Sequence, residues 1–182
     1  MCPSRVCLFF ILFFPPGILI SMLLTPHTLV GVTIGTIAPN IQIAVPTAFL
    51  MHFAGDLVPH WDFFTGTKSK EEVFHGWRAL GIMADMILAV AVGTFFTLYA
   101  LWVNKNPYLA LQIFLCGIAG VLPDAICAFF IYRENVSLNQ PLGIIYKIQV
   151  KLQTSAGPLW GVLSQFGVMA IAVLVTLSSL AR

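Results

Sequence analysis

The chain has 182 residues, 59% of them hydrophobic and only 9% charged, with a mean hydropathy of +0.93. A soluble domain carries about a quarter charged residues, so a chain this apolar could not cover its own surface in water. Nine basic against seven acidic residues leave a net charge of +2, too little to hold a polyanion; a cytosolic enzyme, a disordered protein and a nucleic-acid binder are all excluded.

Residues 6–24 are uncharged and long enough to span a bilayer, with Pro15-Pro16-Gly17 predicting a kink or break near the middle. Arg5 before this run gives a signal-like start, but no small-x-small cleavage site follows. The expected organisation is an N-terminal anchor over 1–24 and a single polytopic membrane domain over 25–182.

Residues 28–38 and 41–54 are shorter apolar runs separated by Pro39-Asn40. A helix over the first run rises only about 16 Å against a hydrocarbon core of about 30 Å. The pair therefore predicts a re-entrant or broken helical hairpin, which is tolerated at depth only when buried in protein or lining a wet cavity. His27, Gly31 and Gly35 recur at i, i+4 and i+8, a small-residue face for close helix contact.

Residues 80–103 form a span whose one charge is Asp85, Asn104 to Pro107 a polar turn, and residues 108–132 a span whose one charge is Asp124. Residues 158–181 form an uncharged span, with Gly157 and Gly161 as a GxxxG packing signal at its start. In the loop 133–156, Leu142, Ile145, Ile148 and Leu152 fall at helical spacing beside Lys147 and Lys151. An interfacial amphipathic helix and a plain connection are equal alternatives there. The predicted fold is all-α: a multi-pass transmembrane helical bundle containing the broken hairpin. The long loops hold Lys68, Lys70, Arg78, Arg133, Lys147 and Lys151, against Arg5, Lys105 and Arg182 opposite, which places the long loops in the cytoplasm.

Cys2, Cys7, Cys116 and Cys127 form no CxxC pair. Cys116 and Cys127 are about 16 Å apart along one helix, too far for a disulfide.

The few charges gather. His52 and Asp56 stand one helical turn apart, Pro59 ends or bends that helix, and His60 and Asp62 follow. In the hairpin, His27 and Asp56 return to one membrane face. Asp85 lies about 9 Å and Asp124 about 13 Å from that same face. The metal-site candidates are His27, His52, Asp56, His60, Asp85 and Asp124, and mixed N/O ligation of this kind suits a divalent ion such as zinc or manganese. Asp62 and Asp85 are candidates for a general base. The bland reading is that a membrane aspartate pairs with a histidine or caps a broken helix.

Thr25-Pro26-His27-Thr28-Leu29-Val30-Gly31, Gly35, the stretch from His52 to Asp62, Asp85 and Gly120-Val121-Leu122-Pro123-Asp124 resemble a group of small prokaryotic integral-membrane proteins related to the predicted membrane-bound metal-dependent hydrolases. The resemblance covers roughly residues 22–130 and leaves 1–21 as an extension or start-site artefact. It implies that His27, His52, Asp56, His60, Asp85 and Asp124 hold the metal. Hydrolases of the wider group often carry an HRGxTHS-like element; the nearest match here is His75-Gly76-Trp77-Arg78, without the second histidine.

Three functions follow as expectations. The first is a membrane-embedded metal-dependent hydrolase of the prokaryotic inner membrane, acting on a lipid or other membrane-associated phosphoester or amide. The second is a cation or proton transporter lined by Asp85, Asp124 and His52. The third is a non-catalytic structural membrane protein. No GxSxG, P-loop, dinucleotide fingerprint or HExxH is present.

Overall fold

A computed structural model describes residues 23–61, 76–132 and 141–182. The expected N-terminal anchor, Asp62 and His75 lie outside the described residues. Among those described there are six helices: α1 (Leu24–Ile37), α2 (Ile41–Asp56), α3 (Gly76–Trp102), α4 (Pro107–Tyr132), α5 (Pro141–Leu152) and α6 (Pro158–Leu180). The all-α membrane bundle is thus observed. Gly76–Trp102, Pro107–Cys127 and Pro158–Leu180 are each long and apolar enough to cross a membrane.

The broken hairpin forms between α1 and α2. With 14 and 16 residues, they rise about 21 and 24 Å, short of a full hydrocarbon core of about 30 Å. Ala38 turns to an extended conformation, Pro39 withholds an N–H, and the Asn40 side chain accepts from Ile43 N at 3.0 Å to start α2. The carbonyls left at the end of α1 are met from α4: Gln112 Nε2 donates to Gly35 O at 3.0 Å and to Ala38 O at 2.9 Å.

α1 and α4 form the spine, each packed against most of the other helices. They touch backbone to backbone because glycine removes the side chain between them. A Cβ on Gly31 would meet Cys116 O at 2.3 Å, and one on Gly120 would meet His27 O at 2.7 Å. One core cluster, including Leu29, Val32, Phe96, Ala100, Ile113 and Leu180, seals the half of the bundle toward the α3–α4 turn. Leu80, Ile87, Val90, Leu163, Phe166 and Ile171 point outward, as lipid-facing residues do.

Two sequence features act differently from their expected use. Gly161 packs against the chain at Trp61, whose N would lie 2.3 Å from an added Cβ, while Gly157 meets nothing within 4 Å. The GxxxG therefore serves a helix-to-loop contact through one glycine. In α5, Leu142 and Ile148 are exposed as an interfacial helix requires, but Ile145 and Leu152 are half-buried, and the buried face is set by Gly143 and Gln149. Ile144 and Val150 join the exposed apolar surface, beside Lys147 and Lys151.

The segments after α2 and after α5 are clamped together. Thr154 N and Oγ1 donate to Asp56 O at 3.1 and 2.9 Å, and Ala156 N donates to His60 O at 2.8 Å. This clamp fixes the C-terminal end of α2, where the polar cluster begins.

Candidate metal centre

Four buried side chains from three helices meet at one end of the bundle: His27 from α1, His52 and Asp56 from α2, and Asp124 from α4. Each is brought there by local chemistry. His27 sits in the first turn of α1, beside Gly55, where an added Cβ would stand 3.0 Å from His27 Cε1. His52 and Asp56 share a face of α2 through i, i+4 spacing. Asp124 follows Pro123, and α4 continues through that proline rather than starting a new turn.

The distances are short and uniform. His27 Nε2 lies 3.4 Å from Asp56 Oδ1, His52 Nε2 3.4 Å from Asp56 Oδ2, and His52 Nε2 3.4 Å from Asp124 Oδ1. One ligand atom each from His27, His52 and Asp56 falls within 4.8 Å of the other two, so this group could hold a metal ion. The His27 and His52 rings stack at 4.0 Å between centroids, 26° from parallel.

Donor and acceptor logic narrows what the cluster can hold. His52 Nδ1 is 2.7 Å from Gly120 O. A carbonyl only accepts, so Nδ1 carries the proton, and in the neutral ring Nε2 presents a lone pair. That lone pair faces carboxylate oxygens on two sides. His27 Nε2, His52 Nε2, both Asp56 oxygens and Asp124 Oδ2 are buried without a hydrogen-bond partner. Two carboxylates, Asp56 and Asp124, bring two negative charges to a dry site. Two imidazoles stacked at 4.0 Å repel each other when both are cationic, so a single imidazolium is favoured, and His52, 3.4 Å from both carboxylates, is the one placed to carry it. A divalent cation held between neutral imidazoles would balance both carboxylates, the second way to satisfy the group.

The remaining candidates separate. His60 is fully buried, its Nδ1 is 2.8 Å from Val58 O, and its Nε2 has no partner. The clamp around Asp56 O keeps it near the cluster, but it is not among the three residues whose ligand atoms converge. Asp85 lies at the level of the cluster yet turns to the start of α1: Oδ2 accepts from Leu24 N at 2.5 Å, and Oδ1 accepts from Thr25 Oγ1 at 2.6 Å and Thr25 N at 3.3 Å. It caps the helix that carries His27.

Gln149 of α5 escaped the sequence reading. Its Nε2 donates to Asp124 Oδ1, and its Oε1 accepts from Cys127 Sγ at 2.7 Å. The signal was present in form: Gln149 interrupts the exposed apolar pattern of α5 between Ile148 and Val150. Cys116 and Cys127 are buried free thiols.

Fold and cluster together define a helical membrane protein with a buried His/Asp group able to bind a metal ion. No protein family, curated protein or solved structure matches the chain.

Proposed function

We propose that the protein is a membrane-embedded metal-dependent hydrolase. The observation that carries this reading is the group of converging buried nitrogen and oxygen atoms on His27, His52, Asp56 and Asp124 that have no hydrogen-bond partner. His27, His52 and Asp56 would hold the ion, a two-histidine, one-carboxylate set of the kind that suits zinc or manganese. The chemistry a divalent ion would supply there is a water of lowered pKa and a polarised scissile bond. Asp124, with Oδ2 free of hydrogen-bond partners, is the residue that would hold a proton as general base, and Gln149 holds its other oxygen. Asp85 acts through α1, positioning His27. Asp62 remains a second candidate base.

Arg78, Lys147 and Lys151 lie at the cluster's end of the bundle, and Lys105 and Arg182 at the other, which supports a site on the cytoplasmic side. A transport path is disfavoured by the packed apolar cluster that includes Phe96, Ile113 and Leu180 and fills the other half of the bundle. A purely structural role, with His52 as an imidazolium 3.4 Å from both carboxylates, leaves one of the two negative charges unbalanced in the dry site. The test uses purified protein in nanodiscs of bacterial lipid extract, with added zinc or manganese. Lipid cleavage products that disappear in Asp124→Asn support hydrolysis. Absence of products with either metal, together with ion flux in proteoliposomes, overturns it.

A further inference from the structure

A groove of about 210 Å³ lies between α1, α3 and α4. Its wall includes Leu24 and Thr28 of α1, Met86 and Val90 of α3, and Phe114 and Gly117 of α4. The space exists because Ala89, Gly93 and Gly117 leave little or no side chain along it. Thr28 and Thr94 are the only polar side chains on the described wall, and Thr28 gives its hydroxyl proton to Leu24 O at 3.0 Å. Nothing on the α1 side therefore asks for a polar ligand.

Place and size select the occupant. Two of the three walls are membrane spans, and the rim residues Val90, Phe114 and Ile118 are 69%, 50% and 46% exposed. The groove thus opens sideways into the hydrocarbon layer, where lipid chains are the surrounding medium. Its volume is below the roughly 300–1,000 Å³ of a pocket that encloses a drug-sized molecule. A partner helix, about 10–12 Å across with side chains, cannot enter it. A stretch of one hydrocarbon chain can.

The groove also has a direction. Met86 follows Asp85, which caps α1, and Val121 follows Gly120, which holds His52. From that level the wall descends along α3 to Thr94, about 12 Å of helix. Leu24 and Thr28 flank His27 in sequence. We propose that this groove binds one acyl chain of a membrane lipid, with the lipid headgroup at the level of the His27–His52–Asp56 cluster. The inference rests on the hydrolase reading and deepens it: the substrate class is an acyl-chain lipid, positioned by its chain.

The test is photolabelling of the full chain in phosphatidylcholine vesicles containing a phosphatidylcholine with a diazirine in mid-chain. Label per residue is expected to be several-fold higher on Thr94, Phe114 and Ile118 than on Leu163 and Ile171, which face lipid on α6. Gly117→Leu and Val121→Phe, which fill the groove from two positions, are expected to abolish that excess; the variant that keeps the wild-type melting temperature is the one scored. Uniform labelling of groove and α6, or an unlabelled groove occupied by protein, overturns the proposal. The labelling is repeated on chelator-treated protein. Groove labelling without any metal binding refutes the hydrolase and leaves the chain site standing, whereas metal binding with uniform labelling does the reverse.

Discussion

His52 Nδ1 stands 2.7 Å from the carbonyl oxygen of Gly120. This contact places a proton on Nδ1 and turns Nε2 toward Asp56 and Asp124, as ligand histidines in metal sites are held by an outer partner. The same glycine lets α4 approach α1, since an added Cβ would fall 2.7 Å from His27 O. One residue thus sets the orientation of one histidine and the position of the other.

Gly120→Val is expected to separate α1 from α4, costing roughly 1–3 kcal/mol by overpacking and weakening metal binding in parallel. Gly117→Ala is the control, because a Cβ there meets Val32 Cγ2 at an ordinary 3.8 Å. Thermal melting in detergent and metal titration of both variants check this: the first should lose stability and affinity, the second neither.

Gln149→Ala removes the donor to Asp124 from a surface helix. Outer-shell partners of this kind are worth about 10–100-fold in metal affinity or activity, so a loss in that range is expected with the fold intact. Metal titration beside the circular dichroism spectrum decides it. Unchanged affinity and unchanged activity would mean that Asp124 is held by other means.

Asp85→Ala should behave as a lost helix cap, at a cost of about 0.5–2 kcal/mol, with metal affinity reduced through His27. A general base would instead leave melting temperature and metal content unchanged while turnover falls. Comparing the three readouts in one variant separates the positioning role from the catalytic one.

The spans were legible because apolar runs of this length have few alternatives: residues 80–103 became Gly76–Trp102, and residues 108–132 became Pro107–Tyr132. The hairpin was legible through Pro39-Asn40 and the shortness of its arms. Its consequence, His27 and Asp56 returning to one level, appears as their 3.4 Å approach. The shared depth of Asp85 was also readable, but its partner was not. The N–H groups at a helix start have no residue type of their own, so Leu24 and Thr25 gave no sign that they would claim its oxygens. Gln149 was missed for a related reason. An uncharged side chain in a surface helix raises no cost that spacing reveals, and its partner Asp124 is 25 residues away.

The most direct test is elemental analysis of the purified wild-type protein beside the double variant His52→Ala/Asp56→Ala, with melting temperature recorded before and after chelation. Stoichiometric divalent metal in the wild type, lost in the variant, with a chelator-induced fall in melting temperature of the wild type alone, is the expected result. A metal-free wild type that takes up no zinc or manganese, and whose melting temperature a chelator does not move, would contradict the metal centre.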